Sequence, residues 1–179
     1  AGPWSDRIPG SGTKLRPTKG VHLVVQRERL PVPDAVVMMR GKRILFAIPW
    51  GERTYLGTTD TDYDGPLETP DCTDKDVAYV LDVVNRYFCD AGLAGDDVLS
   101  AWSGLRPLVA KRGGNPSDIS RKHEIRMKEV NWWDTTGGKL TTYRLMAEQA
   151  VDKLMRHAGL SGATCRSGST ELCEGLPTD

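Results

Sequence analysis

The chain has 179 residues, enough for one ordinary domain that buries about two thirds of the surface its unfolded form exposes. Its 24 basic and 24 acidic residues cancel, which excludes an overall field favouring nucleic acid or an anionic membrane, so any anion must be held by local positive groups. No apolar run approaches the ~18 residues of a membrane span, and cysteines at 72, 89, 165 and 173 show neither CxxC spacing nor a dense disulfide framework, so no metal site is expected. The chain opens on AGPWSD, without an initiator Met and without the charged and apolar regions of a secretion signal, and is expected to continue a longer polypeptide.

Residues 9–20 are rich in Gly, Pro and Lys and read as a loop, after which the β-branched content of residues 21–26 predicts a strand. Beyond Pro31 and Pro33, the apolar runs 35–40 and 43–50 flank Gly41-Lys42, the spacing of a tight hairpin, and residues 54–59 supply a further strand. Thr73 with Asp76 three residues on predicts a capping box. Val77, Val80, Leu81, Val84, Tyr87 and Phe88 then repeat at helical spacing until Gly92, as one core face. Strands are expected at 98–108 and 123–130, separated by a loop marked by Pro107, Gly113, Gly114 and Pro116, with Trp132 and Trp133 prolonging the second. Residues 142–158 form the second helix, whose stripe of Ala147, Ala150, Val151, Leu154 and Ala158 is broad enough to dock on a sheet. From Ser161 onward, Gly, Ser and Thr predominate and a poorly ordered tail is expected. Strands, a helix, more strands and a closing helix argue for an α+β arrangement, an antiparallel β-sheet backed by helices.

Four groups of residues carry candidate chemistry. In residues 135–144, TTGGKLTTYR, the glycines let backbone N–H groups approach a ligand, Lys139 adds charge, and the following helix presents N–H donors with partial positive charge. Neither GxxxxGK[ST] nor GxGxxG occurs, so a glycine-rich turn with a solvated Lys139 stands beside the anion or cofactor reading. Arg106, in SGLRPL, and Arg121, after a polar loop, have the planar fork that binds phosphate bidentately, although either could be a surface arginine at a strand end. His22, in KGVHLVV, shares a strand face with Val24 and is expected to point inward from an apolar segment. Its ordinary pKa near 6.5 suits proton transfer, and a structural role is the alternative. Asp60-x-Asp62-x-Asp64-Gly65, with Asp71 at position twelve, matches half of a calcium-binding loop, but a strand-like run precedes it and Pro66 and Pro70 stiffen it, which favours an acidic solvated turn. These residues leave open a non-catalytic module that binds calcium or a protein.

Taken in order, LRPTKGVHLVV, TYLGTTDTDYDG, SGLRPL, ISRKHEI and GGKLTTYR make the chain resemble the FAD-dependent glycerol-3-phosphate dehydrogenases, from residue 1 to about residue 159. The resemblance implies the substrate cap domain of a D-amino-acid-oxidase-like flavoprotein fold. Residues 1–9 would end the FAD-binding domain, 10–134 form the cap, 135–160 return to the FAD-binding domain and 161–179 form the tail. It implies FAD as cofactor, with the GxGxxG fingerprint on a missing N-terminal half, and oxidation of sn-glycerol 3-phosphate to dihydroxyacetone phosphate with electrons passed to a quinone. The full-length enzyme would be cytoplasmic and peripheral at the inner face of the membrane. By the same resemblance, His22, Arg106 and Lys139 are catalytic, and Arg121 joins them in binding substrate. Gly104, Gly137, Gly138, Lys139, Leu140 and Thr141 contact the flavin. A related flavin amine or amino-acid oxidase is the alternative within the same architecture.

Overall fold

The computed structural model describes residues 2–109, 122–129, 132–162 and 164–171. The chain divides into two compact units, Ala1–Ser120 and Arg121–Asp179, each considered by itself.

The first unit is built on β1 (Leu15–Gln26), which pairs from Leu15 to Val25 with β6 (Val98–Val109). On its other side it pairs with β4 (Arg53–Gly57) and then with β5 (Thr61–Asp62). Beyond β4 lie β3 (Arg43–Trp50) and β2 (Val36–Arg40), giving the order β2-β3-β4-β1-β5 with β6 on the far side of β1. Every pairing is antiparallel. The hairpin turns at Gly41-Lys42, where Gly41 takes a positive φ of 62°, as the sequence spacing predicts. β1 starts six residues earlier than its β-branched run, because main-chain pairing with β5 and β6 tolerates Pro17 in the strand.

The helix α1 (Asp74–Tyr87) starts at the expected capping box: Asp76 N–H donates to Thr73 Oγ1, and Thr73 N–H donates to Asp76 Oδ2 at 2.9 Å. Val80, Leu81, Val83 and Val84 pack on the face of the sheet formed by Val21, Leu23 and Val25 of β1, with Met38, Leu45 and Leu56 from the neighbouring strands. Tyr87 is not a core residue. It is 50% exposed, and its hydroxyl accepts from Met39 N–H and donates to Met39 O, each at 2.9 Å, which satisfies outward-facing groups of the edge strand β2.

Lys19 also lies on this covered face, only 7% exposed, and donates to Asp76 Oδ2 at 2.6 Å and to Asp71 O at 2.9 Å. Sequence reasoning gave this lysine no role. Burial pushes the Asp76 carboxyl up, but hydrogen bonds from Lys19 and Thr73 outweigh it and hold the group below its ordinary 3.8.

In the second unit, β7 (Glu124–Glu129) and β8 (Trp132–Thr136) form an antiparallel hairpin. Trp132 and Trp133 therefore begin a separate strand instead of prolonging the preceding one, since the chain reverses after Glu129. A short 3-10 turn, Leu140–Thr142, leads into α2 (Tyr143–His157). No residue of α2 is buried, so the apolar stripe expected to dock on a sheet stays uncovered. Ala147 and Val151 line an open groove of about 620 Å³ with Leu160 and Cys165. Within the tail, Ser169 and Thr170 fold back onto Arg166 O in a turn. No helix among the described residues is long and apolar enough to cross a membrane.

Replacing Lys19 with Met is expected to cost about 3 kcal/mol in urea unfolding, the scale seen when one partner of a buried pair is removed, and a loss below about 1 kcal/mol would show the pair to be incidental. Because the folded Asp76 value lies below 3.8, its contribution is whole above pH 3.8 and is lost as pH falls through the folded value. Wild-type unfolding in that acid window should show the loss, and the Lys19→Met variant should show less of it.

Candidate active site

Strand alternation divides β1 into two sides. Odd-numbered Lys19, Val21, Leu23 and Val25 meet α1, and even-numbered Thr18, Gly20, His22 and Val24 face the other way. His22 therefore does not point into the helix-covered core as its apolar neighbours suggest. It lies on the open face, half-buried. Cross-strand register places Trp102 of β6 beside His22, Gly104 beside Gly20 and Arg106 beside Thr18, while β4 brings Gly57 and Tyr55 to the same face. His22 stacks on Trp102 with centroids 5.2 Å apart, Trp102 meets Tyr55 edge-on at 5.5 Å, and Tyr55 stacks on Trp50 at 5.8 Å. Gly57 makes room for the imidazole, because a Cβ there would stand 2.7 Å from His22 Cδ2.

Arg106 reaches across β1 to the turn that follows β4. Its Nη2 donates to Thr58 Oγ1 at 2.9 Å and its Nη1 to Thr59 O at 3.2 Å, with Asp60 Oδ1 at 3.5 Å from Nη1. The GTTD segment is thus the seat of this arginine, an assignment the sequence motif held but did not reveal. Burial lowers the pKa of His22 below 6.5, and the positive charge of Arg106 lowers it further, so His22 is neutral at pH 7 and able to accept a proton. Thr18, fully buried beside Arg106 in the register, has a hydroxyl without a hydrogen-bond partner among the described residues.

Two carboxylates of the acidic turn meet arginines. Asp62 is held bidentately by Arg16 at 2.6 and 2.7 Å, and Asp60 faces Arg106. Among the described residues no group of three or more metal-binding side chains comes together.

In the second unit, Gly137 and Gly138 take φ of 75° and 82°, a region that favours glycine. A Cβ on Gly137 would meet Lys122 O at 2.7 Å, and one on Gly138 would meet Met146 Sδ at 2.3 Å. The positive φ of both residues, and at Gly137 the backbone of Lys122, therefore already call for glycine, whatever they contact besides. Lys139 precedes the 3-10 turn and is exposed, its N–H donating to Thr142 Oγ1 at 3.0 Å, while Leu140 is 87% exposed and Thr141 is also on the surface. Gly104 differs from the diglycine: among the described residues a Cβ there would meet nothing within 4 Å, so no described atom fills the floor between His22 and Arg106. A flat ring or a small polyol could lie against that floor, with a neutral imidazole and a guanidinium at its rim. Arg121 falls outside the described residues.

The first unit thus presents a sheet face that carries a neutral histidine and an anchored arginine, backed on its other side by a helix. Residues 1–166 match the family described as FAD dependent oxidoreductase, and the chain belongs to it. Within that family, the chain is 38% identical over 186 residues to the aerobic glycerol-3-phosphate dehydrogenase of Staphylococcus aureus strain USA300, covering 98% of this chain and 33% of that protein. The structure of the glycerol-3-phosphate dehydrogenase from Bacillus halodurans complexed with FAD superposes with a TM-score of 0.77 at 38% identity, over 92% of this chain and 32% of that one. Glycine oxidase from Bacillus cereus shares the fold at a TM-score of 0.57 and 16% identity, over 86% of this chain and 41% of that one. The chain thus spans about a third of the length of the dehydrogenases it matches.

The imidazole signals of His22 are expected to titrate with a midpoint below 6.5 in NMR. A midpoint at or above that value would remove the neutral acceptor from this site.

Proposed function

We propose that this chain is the substrate-facing part of a flavoenzyme that oxidises sn-glycerol 3-phosphate to dihydroxyacetone phosphate. The observation that carries this reading is Arg106, anchored by Thr58 and Thr59 on an open face that also bears a neutral His22. Similarity to the Staphylococcus aureus and Bacillus halodurans dehydrogenases supports the choice of substrate.

In this reading Arg106, with Arg121, holds the phosphate dianion through charge-assisted hydrogen bonds. Neutral His22 accepts the proton of the C2 hydroxyl as the C2 hydride leaves. Lys139 orients the C2 oxygen, and Gly104, Gly137, Gly138, Leu140 and Thr141 place backbone against the cofactor. FAD, when bound, supplies the acceptor for the two electrons. The domain division at residues 9, 134 and 160, the remaining FAD-binding part of the polypeptide, a quinone as final acceptor and a peripheral position on the inner face of the cytoplasmic membrane complete the proposal.

The test is a chimera in which this chain replaces the matching third of the Staphylococcus aureus dehydrogenase. It should be yellow and should oxidise sn-glycerol 3-phosphate. A yellow chimera that oxidises glycine or another amine instead would overturn the substrate in favour of the amine-oxidase reading. In the active chimera, Arg106→Lys should lower kcat/KM by about tenfold or more, because an ammonium cannot reproduce a planar fork, and intact turnover would remove Arg106 from the phosphate site. His22→Gln should lower kcat far more than it raises KM.

A further inference from the structure

We infer that Gly20 is a positioning residue for Arg106: the side chain that Gly20 lacks leaves the slot in which the guanidinium lies across β1, and this seat fixes the field that Arg106 imposes on His22. A Cβ on Gly20 would stand 2.4 Å from both Nη1 and Nη2 of Arg106 and 2.7 Å from Cζ. No methyl group persists at such separations, so any residue other than glycine expels the guanidinium. Nothing else demands glycine here, because Gly20 lies within β1 and is not among the glycines of positive φ. The atoms that would be displaced are the far end of a long, flexible side chain, so β1 can keep its backbone course while the arginine leaves.

The guanidinium is held by Thr58 Oγ1, Thr59 O and Asp60. Gly20 and this turn therefore set its place together. Among the described residues, Arg106 of β6 is the charge that acts on His22, with Asp60 of the turn after β4 beside it; Arg16 with Asp62 and Arg53 lie further along the same face, and Tyr55 of β4 borders Trp102. Lys19 and Asp76 meet on the opposite side of β1. Expelling the guanidinium takes its charge away from His22, which returns towards its ordinary titration, and takes a cation away from any phosphate bound there. The first consequence follows from the slot geometry together with the charge that Arg106 places near His22, whereas the second rests on the phosphate reading above.

The first measurement is made on this chain, 15N-labelled, with His22 signals assigned through His22→Gln. Gly20→Ala should move the His22 titration midpoint upward, in the same direction as Arg106→Met, with the far-ultraviolet circular dichroism of the fold retained. Thr58→Val, which removes the hydroxyl accepting from Nη2 and leaves β1 untouched, should move it the same way by a smaller amount, and it decides the matter if the alanine variant does not fold. In the chimera, Gly20→Ala should raise KM for sn-glycerol 3-phosphate about tenfold, equivalent to about 1.4 kcal/mol, with a smaller change in kcat. Midpoints equal to wild type in Gly20→Ala and Thr58→Val would overturn the slot. If the midpoint moves while Arg106→Lys leaves KM unchanged, the slot stands and the phosphate assignment falls.

Discussion

The buried pair between Lys19 and Asp76 decides which side of the sheet is available for chemistry. A lysine at 7% exposure is tolerated in an otherwise aliphatic layer only because its charge meets a carboxylate at 2.6 Å and a carbonyl at 2.9 Å. Sliding β1 by a single residue would turn this ammonium outward and bring Gly20 and His22 under α1. The carboxylate is itself fixed, since Thr73 donates to it through both its N–H and its hydroxyl. One contact thus joins the start of the helix to the central strand and commits the even-numbered residues to the open face. The placement of His22, Trp102 and Arg106 on one surface follows from that commitment together with the β1–β6 register.

Much of the frame is local and therefore legible in the sequence. The capping box at Thr73, the Gly41-Lys42 turn and the helical spacing of Val80, Leu81 and Val84 each depend on residues within a few positions of one another, and each is realised. The failures arise where a distant partner decides. Tyr87 keeps the helical period of its neighbours but leaves the core to serve an edge strand 48 residues away. His22 sits between buried valines and leucines, yet strand alternation sends it to the other side, because apolar residues occupy both faces of β1 and the pattern alone does not mark the covered one. Arg106 was recognisable as a candidate, but its seat was not, since Gly20 and Thr58 lie 86 and 48 residues from it along the chain. The diglycine shows the opposite limit. Its positive φ suits a ligand loop, but that φ, with the backbone of Lys122 against Gly137, is enough to call for glycine without one.

The polar groups of the open face are set among apolar ones, and that setting gives them their strength. Phe46, Ile48 and Trp50 of β3 remain 36–65% exposed, and Tyr55 and Trp102 continue this surface up to His22. A ligand that covers such a face displaces water from it, and electrostatic interactions beneath become stronger as the local dielectric falls. The same loss of water disfavours the charged form of an imidazole, so covering the face would reinforce the neutrality that burial and Arg106 already impose on His22.

Asp60 then has a physical reason to stand beside Arg106. An arginine reaching over a strand with 24% of its side chain exposed would carry a poorly solvated charge if no anion were near, and a carboxylate at 3.5 Å compensates it before a ligand arrives. The contact is longer than the 2.6 Å Lys19–Asp76 bond, and Thr58 and Thr59 add two hydrogen bonds to the same guanidinium, so its place is set by several partners at once.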